Sequence, residues 1–70
     1  CILDSGLSST DTIVYVPNTS RFPSQGKLLI GNELVTYTGK LNDRFTGCVR
    51  GAENTIAQSH NAGDYLRSLL

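Results

Sequence analysis

Lys27-Leu28-Leu29-Ile30-Gly31-Asn32-Glu33-Leu34-Val35-Thr36-Tyr37-Thr38 decides the fold class of this 70-residue chain. Two runs rich in aliphatic, β-branched and aromatic residues flank a Gly-Asn pair. Glycine takes the positive φ that matches the twist of antiparallel strands, so the pair predicts a tight hairpin. Within the second run, Glu33, Val35 and Tyr37 alternate with Leu34, Thr36 and Thr38, and neither set is uniformly apolar. That alternation predicts one face against the domain core and the other against a partner.

Working outward, the same chemistry repeats. Thr12-Ile13-Val14-Tyr15-Val16 reads as a strand that stops at Pro17-Asn18, and Phe22-Pro23-Ser24-Gln25-Gly26 reads as a turn, with Pro and Gly where turns want them. Residues 39–43 read as a loop, and Arg44-Phe45-Thr46-Gly47-Cys48-Val49 as a returning strand. Asn54 or Thr55 is placed to cap one helical turn over residues 56–60, with Gly63 ending it. Asp64-Tyr65-Leu66-Arg67 reads as the closing strand, and Ile2-Leu3 as a short opening one before a Ser-rich loop over residues 7–10. Short strands with turn signals between them predict one all-β domain over residues 1–70: a small sandwich or partly open barrel of antiparallel strands with one short helical turn near 56–60.

Composition narrows the function. Six Lys and Arg balance six Asp and Glu, and Arg21, Lys27, Lys40, Arg44, Arg50 and Arg67 form no basic stripe, which argues against nucleic acid. No apolar run approaches the roughly 20 residues that span a bilayer, so no membrane partner is expected. With no Trp, no Met and five aromatic residues, the core is built from aliphatic side chains and a few rings. A core of that size rarely supplies more than roughly 3–5 kcal/mol unaided, which already suggests assembly. The first residue is Cys1 rather than Met, from which a processed chain or a piece of a longer one is expected; a mature lipoprotein also begins with Cys.

No catalytic group, cofactor or metal is expected. Cys1, Cys48 and His60 lack ligand spacing, and the single His excludes a site with paired His. Cys1 and Cys48 are too few for a disulfide framework; Cys48 reads as a small buried hydrophobe and is expected to stay unpaired. A Cys48–His60 nucleophilic pair is weighed against a His60 that only bonds a neighbouring loop, and the latter is preferred. Arg50 has five donors in a planar fork and is read first as a loop staple, bonding backbone carbonyls or a carboxylate such as Glu33 or Glu53, and second as a ligand contact. Asn18-Thr19-Ser20 fits a glycosylation sequon. Tyr15, Tyr37 and Tyr65 are candidates for a sugar-binding platform, against the plainer reading of half-buried strand tyrosines.

The ordered series Phe-Pro-x-x-Gly at 22–26, Ile-x-x-Glu at 30–33, Tyr-Thr-Gly at 37–39, Gly-Cys-x-Arg-Gly at 47–51 and His-x-x-Gly at 60–63 resembles a small repeat module of tailed-bacteriophage virion proteins. The resemblance covers roughly residues 7 to 66. It departs at Asn54, where such modules often carry Gly, and at the end Asp64-Tyr65-Leu66-Arg67-Ser68-Leu69-Leu70. It implies a non-catalytic building block in a tail, baseplate, fibre or capsid surface, partnered by other virion proteins or by copies of itself. Its structural motif residues are Phe22, Pro23, Gly26, Glu33, Tyr37, Gly39, Gly47, Arg50, Gly51, His60 and Gly63. The location it implies is the virion, assembled in the bacterial cytoplasm, or otherwise extracellular. The apolar Leu66, Leu69 and Leu70 are the expected assembly contact. The alternative is a receptor- or carbohydrate-binding module of a fibre or adhesin.

Overall fold

The computed structural model describes residues 1–69. It is all-β, with seven short strands in two antiparallel sheets that enclose one apolar core. The strands are β1 Val14–Tyr15, β2 Gly26–Ile30, β3 Glu33–Tyr37, β4 Gly39–Leu41, β5 Arg44–Thr46, β6 Val49–Ala52 and β7 Leu66–Ser68. One sheet has the order β1-β5-β4 and the other β6-β3-β2-β7.

The β2–β3 hairpin is the one read from the sequence. Ile30 pairs with Glu33 across a two-residue loop. Gly31 alone of its two central residues has positive φ, at +60, as a type II′ turn requires. On β3 the alternation puts Glu33, Val35 and Tyr37 inward, all nearly inaccessible, and leaves Leu34 and Thr36 on the far face, half-buried.

Two corners carry the chain between sheets. It leaves the larger sheet at Thr38 and returns at Gly47-Cys48, and Thr38 N donates to Thr46 O at 3.2 Å where the corners meet. A Cβ on Gly47, whose φ is +61, would lie 2.1 Å from Thr38 Oγ1, closer than any side chain tolerates. Gly39 faces Thr46 Oγ1 in the same contact.

These corners correct two expectations. Residues 39–43 are not a loop: β4 and β5 form a second hairpin about Asn42-Asp43, with Lys40 opposite Phe45. The run from Arg44 to Val49 is not one strand, because the corner at Gly47 divides it into β5 and β6. The expected strand over residues 12–16 contracts to Val14–Tyr15, and the closing strand runs Leu66–Ser68, with Tyr65 instead bridging Ile2.

The helical turn over 56–60 does not form. Glu53 and Asn54 adopt left-handed φ of 54 and 70, and Thr55 Oγ1 bonds back to Ala52 O at 2.7 Å. Beyond them, Gln58 N donates to the Glu33 carboxylate and His60 N to Leu7 O, so the amides a helix would use are taken by distant acceptors. Gly63 accordingly ends no helix. It lies in the turn over residues 61–64 with φ +91, its amide donating to Leu3 O.

Candidate functional site

The densest polar chemistry lies where the start of β3, the start of β6 and residues 58–60 converge. Glu33 follows the tight turn, so strand alternation points its carboxylate into the protein, where it is fully buried. A buried carboxylate persists only if its oxygens are bonded. Arg50 provides a two-pronged partner, Nε to Oε2 at 2.7 Å and Nη2 to Oε1 at 2.9 Å. Gly51 N donates to Oε2 at 3.0 Å, and Gln58 N to Oε1 at 3.2 Å. His60 Nε2 lies 2.8 Å from Oε1 and donates to it. Burial alone pushes the Glu33 carboxyl up, but Arg50, His60 and the two amides outweigh it and hold the group down at about 2.

Arg50 is equally saturated. Its remaining donors reach the carbonyls of Ser8, Asp11 (3.2 Å) and Gln58 (2.7 Å), so each of its five N–H groups has an acceptor. One guanidinium therefore joins the loop around Ser8, β3, β6 and the segment before His60. With every donor and lone pair engaged, neither Glu33 nor Arg50 is left to bind a substrate. The arrangement is that of a staple, as the first reading of Arg50 has it, with Glu33 rather than Glu53 as its carboxylate. Glu53 instead pairs with Lys27 at 2.5 Å on the exposed side.

At the far end of β3, roughly 13 Å away along the strand, the motif residues Phe22, Pro23, Gly26 and Tyr37 gather around a ring cluster. Tyr37 tilts against Phe45 at 4.6 Å between centroids, and Phe22 meets Phe45 edge-on at 5.0 Å. Tyr37 Oη donates to Pro23 O at 2.8 Å, and Gly26 leaves room beside that hydroxyl. Lys40 Nζ donates to the carbonyls of Thr19 and Phe22, both at 2.7 Å, and closes the Phe22 loop. Thr19, Ser8, Asp11 and Gln58 escape sequence reading because three of them act through backbone carbonyls. Thr19 is a buried threonine that differs from its exposed neighbours in no way a sequence displays.

The remaining candidates are not brought together. Cys48 is buried with its Sγ 3.6 Å from Phe45 O, and burial pushes its thiol up to about 11, so at neutral pH it is no nucleophile. His60 spends Nε2 on Glu33. Cys1, exposed, and Cys48 are both free thiols. Tyr37 is in the core, which removes it from any platform with Tyr15 and Tyr65; Tyr15 lies instead under Arg44, 4.9 Å from its ring centroid. Asn18 Oδ1 accepts from Ser20 N at 2.7 Å in a local turn.

Leu66 corrects the expected assembly contact: it is wholly buried between the sheets and belongs to the core. Leu69 is half-buried, and Leu70 lies outside the described residues. Among the described residues no three His, Cys, Asp or Glu side chains group so as to hold a metal ion, and no helix is long and apolar enough to cross a membrane. Compared with protein-family models, curated proteins and solved structures, the chain matches none.

Proposed function

We propose that this protein is a non-catalytic structural building block, a module of a tailed-phage virion or a similar assembly, acting through packing against neighbouring chains. The observation that carries this reading is the outer face of the four-stranded sheet. Cross-strand partners share a face, so the registers Leu34–Ala52, Leu34–Leu29 and Thr36–Val49 place Ala52, Leu34, Leu29 and Val49 together, opposite the buried Leu28, Ile30 and Val35. Leu29 and Leu34 are only half-buried, Val49 is 57% exposed and the nearby loop residue Ile56 79%. Among the described residues no second layer covers this face. The same registers add Thr36, Lys27 and Arg67 to this face, so it is a partly exposed apolar patch edged by two cations, and such a patch marks a protein contact. The ordered motif series supports the same reading, since Phe22, Pro23, Gly26 and Tyr37 serve one cluster that holds the fold and Glu33, Arg50, Gly51 and His60 another.

The test uses the two most exposed members of that surface, whose loss costs the isolated fold little. Val49→Ser combined with Ile56→Ser is expected to abolish self-association in sedimentation across a concentration series, or recovery with particles from the source. The unfolding midpoint of the variant stays near that of the wild type. A wild-type chain that is monomeric throughout and absent from particles would remove this reading and favour the receptor- or carbohydrate-binding alternative.

A further inference from the structure

His60 has a second ring nitrogen that the Glu33 cluster does not use. Its backbone is tied to Leu7 by two hydrogen bonds of 2.8 Å, and its side chain is only 7% exposed. The ionised Glu33 carboxylate can only accept, so the 2.8 Å bond to Oε1 puts the imidazole proton on Nε2. In the neutral ring that leaves the lone pair on Nδ1, as an acceptor fixed in place. Among the described residues Nδ1 meets no partner, and it is not sealed from solvent as Ser68 Oγ is. The opening that His60 lines is a pocket of about 330 Å³. That volume is at the small end of the roughly 300–1,000 Å³ of small-ligand sites.

The other walls come from β2, β7 and the turn before β7. Leu29, half-buried, and Gly31 supply one side, and a side chain at Gly31 would sit 3.8 Å from His60 Cε1 and narrow the opening. Asp64 is held by the turn over residues 61–64, its Oδ2 accepting from Asn61 N at 2.9 Å while Oδ1 stays unengaged. Arg67 is opposite Leu29, and strand alternation puts Tyr65 on the same face. The Tyr65 ring is 65% exposed and stacks on no other ring. Among the described residues no carboxylate lies within ion-pair distance of Arg67. From Leu3 back to Cys1, and from Leu66 on to Leu69, the chain runs toward the Gly26 end of β2 and away from this pocket at Gly31.

Two acceptors, a donor fork and an exposed ring suit one kind of ligand. Adjacent hydroxyls on a small saturated ring each donate and accept, and the apolar face of such a ring packs on an aromatic side chain. An anion would be set against Asp64, and among the described residues no third His, Cys, Asp or Glu joins His60 and Asp64 to hold a metal ion. We propose that this pocket binds a neutral pyranose sugar, its ring against Tyr65 and its adjacent hydroxyls shared among His60 Nδ1, Asp64 and Arg67. The site goes beyond the assembly reading and does not depend on it: the pocket is at the β7 edge of the sheet, opposite the β6 edge that carries Val49.

The chain has one histidine, so a long-range proton–nitrogen correlation spectrum of the 70-residue protein shows one imidazole. In the free protein near neutral pH it is expected as the Nε2–H tautomer. Titration with methyl β-D-galactopyranoside or methyl β-D-glucopyranoside is expected to shift the Nδ1 resonance saturably, with Kd on the order of 1–10 mM for at least one of them. Tyr65→Ala and Asp64→Asn should each weaken that binding about three- to tenfold, while Val49→Ser combined with Ile56→Ser leaves it unchanged. Tyr65 is exposed, so its variant decides even where Asp64→Asn disturbs the turn. A free imidazole protonated on both nitrogens, no saturable shift with either sugar, a Kd indifferent to Tyr65→Ala, or one changed by the Val49 and Ile56 pair would overturn the proposal. So would equal binding of cyclohexanol, which would make the pocket merely apolar, or stronger binding of inorganic phosphate, which would assign it to an anion at Arg67.

Discussion

The two ends of β3 solve one problem with opposite chemistry. At Glu33 the fold is fastened by a buried ion pair and eight hydrogen bonds to the carboxylate and the guanidinium, two of them shared by both groups. At Tyr37 it is fastened by three packed rings and two polar tethers, the Tyr37 hydroxyl and the Lys40 ammonium. Both ends tie long-range loops to a single five-residue strand. The difference lies in tolerance. A ring cluster loses contact area in proportion to what is removed, whereas a buried charge that loses its partner retains its full desolvation cost.

Arg50→Ala and Phe45→Ala, one at each end, are expected to have the largest effects, each about 3–5 kcal/mol by denaturant unfolding. The comparison breaks apart with pH. Removing Arg50 leaves Glu33 buried with only His60 and two amides to bond it, so acid, which neutralises it, should narrow the gap between that variant and wild type. The gap for Phe45→Ala should not move. Equal pH dependence of the two gaps would mean that Glu33 owes nothing to its ion pair.

Glu33 itself gives the next effect. Its carboxyl lies near 4.5 when unperturbed and at about 2 in the fold. A depressed folded value contributes stability that is fully present above the unfolded value and is lost as pH falls through the folded one. The contribution is on the order of 3 kcal/mol, disappearing between about pH 4.5 and 2. Glu33→Gln should flatten that part of the stability-versus-pH curve; a curve of unchanged slope would place the acid sensitivity elsewhere.

Smaller effects sharpen the picture of how β3 is entered and left. Gly31→Val, at φ +60, should cost on the order of 1 kcal/mol or more, because a β-branched residue resists left-handed backbone. An unchanged denaturation midpoint would contradict the turn geometry. Tyr37→Phe keeps the ring stack and removes only the bond to Pro23 O, which should cost about 1 kcal/mol. A loss as large as that of Phe45→Ala would show that the hydroxyl, not the rings, fastens the aromatic end.

The motif residues were legible in order but not in grouping. Phe22, Pro23, Gly26 and Tyr37 meet at one end of the domain, and Glu33, Arg50, Gly51 and His60 at the other, although both sets interleave along the chain. Arg50 was readable as a staple because a guanidinium with five donors has few other buried uses. That its acceptors include Ser8 and Asp11 was not, since a backbone carbonyl carries no residue signature. The helical turn was misread for a related reason: Thr55 and Asn54 have the chemistry of caps, and only the carboxylate of Glu33, brought from 25 residues away, claims the amide of Gln58.

By itself the sequence determined what local chemistry determines: the all-β class, the hairpin at Gly31-Asn32, the alternation that sets Glu33 with Val35 and Tyr37 on one face of β3, and a Cys48 that packs as a hydrophobe. These follow from φ preferences and from a side-chain period of two, which act over a few residues. Tertiary structure alone decided where the chain turns between sheets at Thr38 and Gly47, that the Glu33 side of β3 is the buried one, and that Leu66 is core and not contact. Those outcomes depend on which distant groups occupy the same space. Close packing and the pairing of buried polar atoms are properties of that space, not of neighbours along the chain.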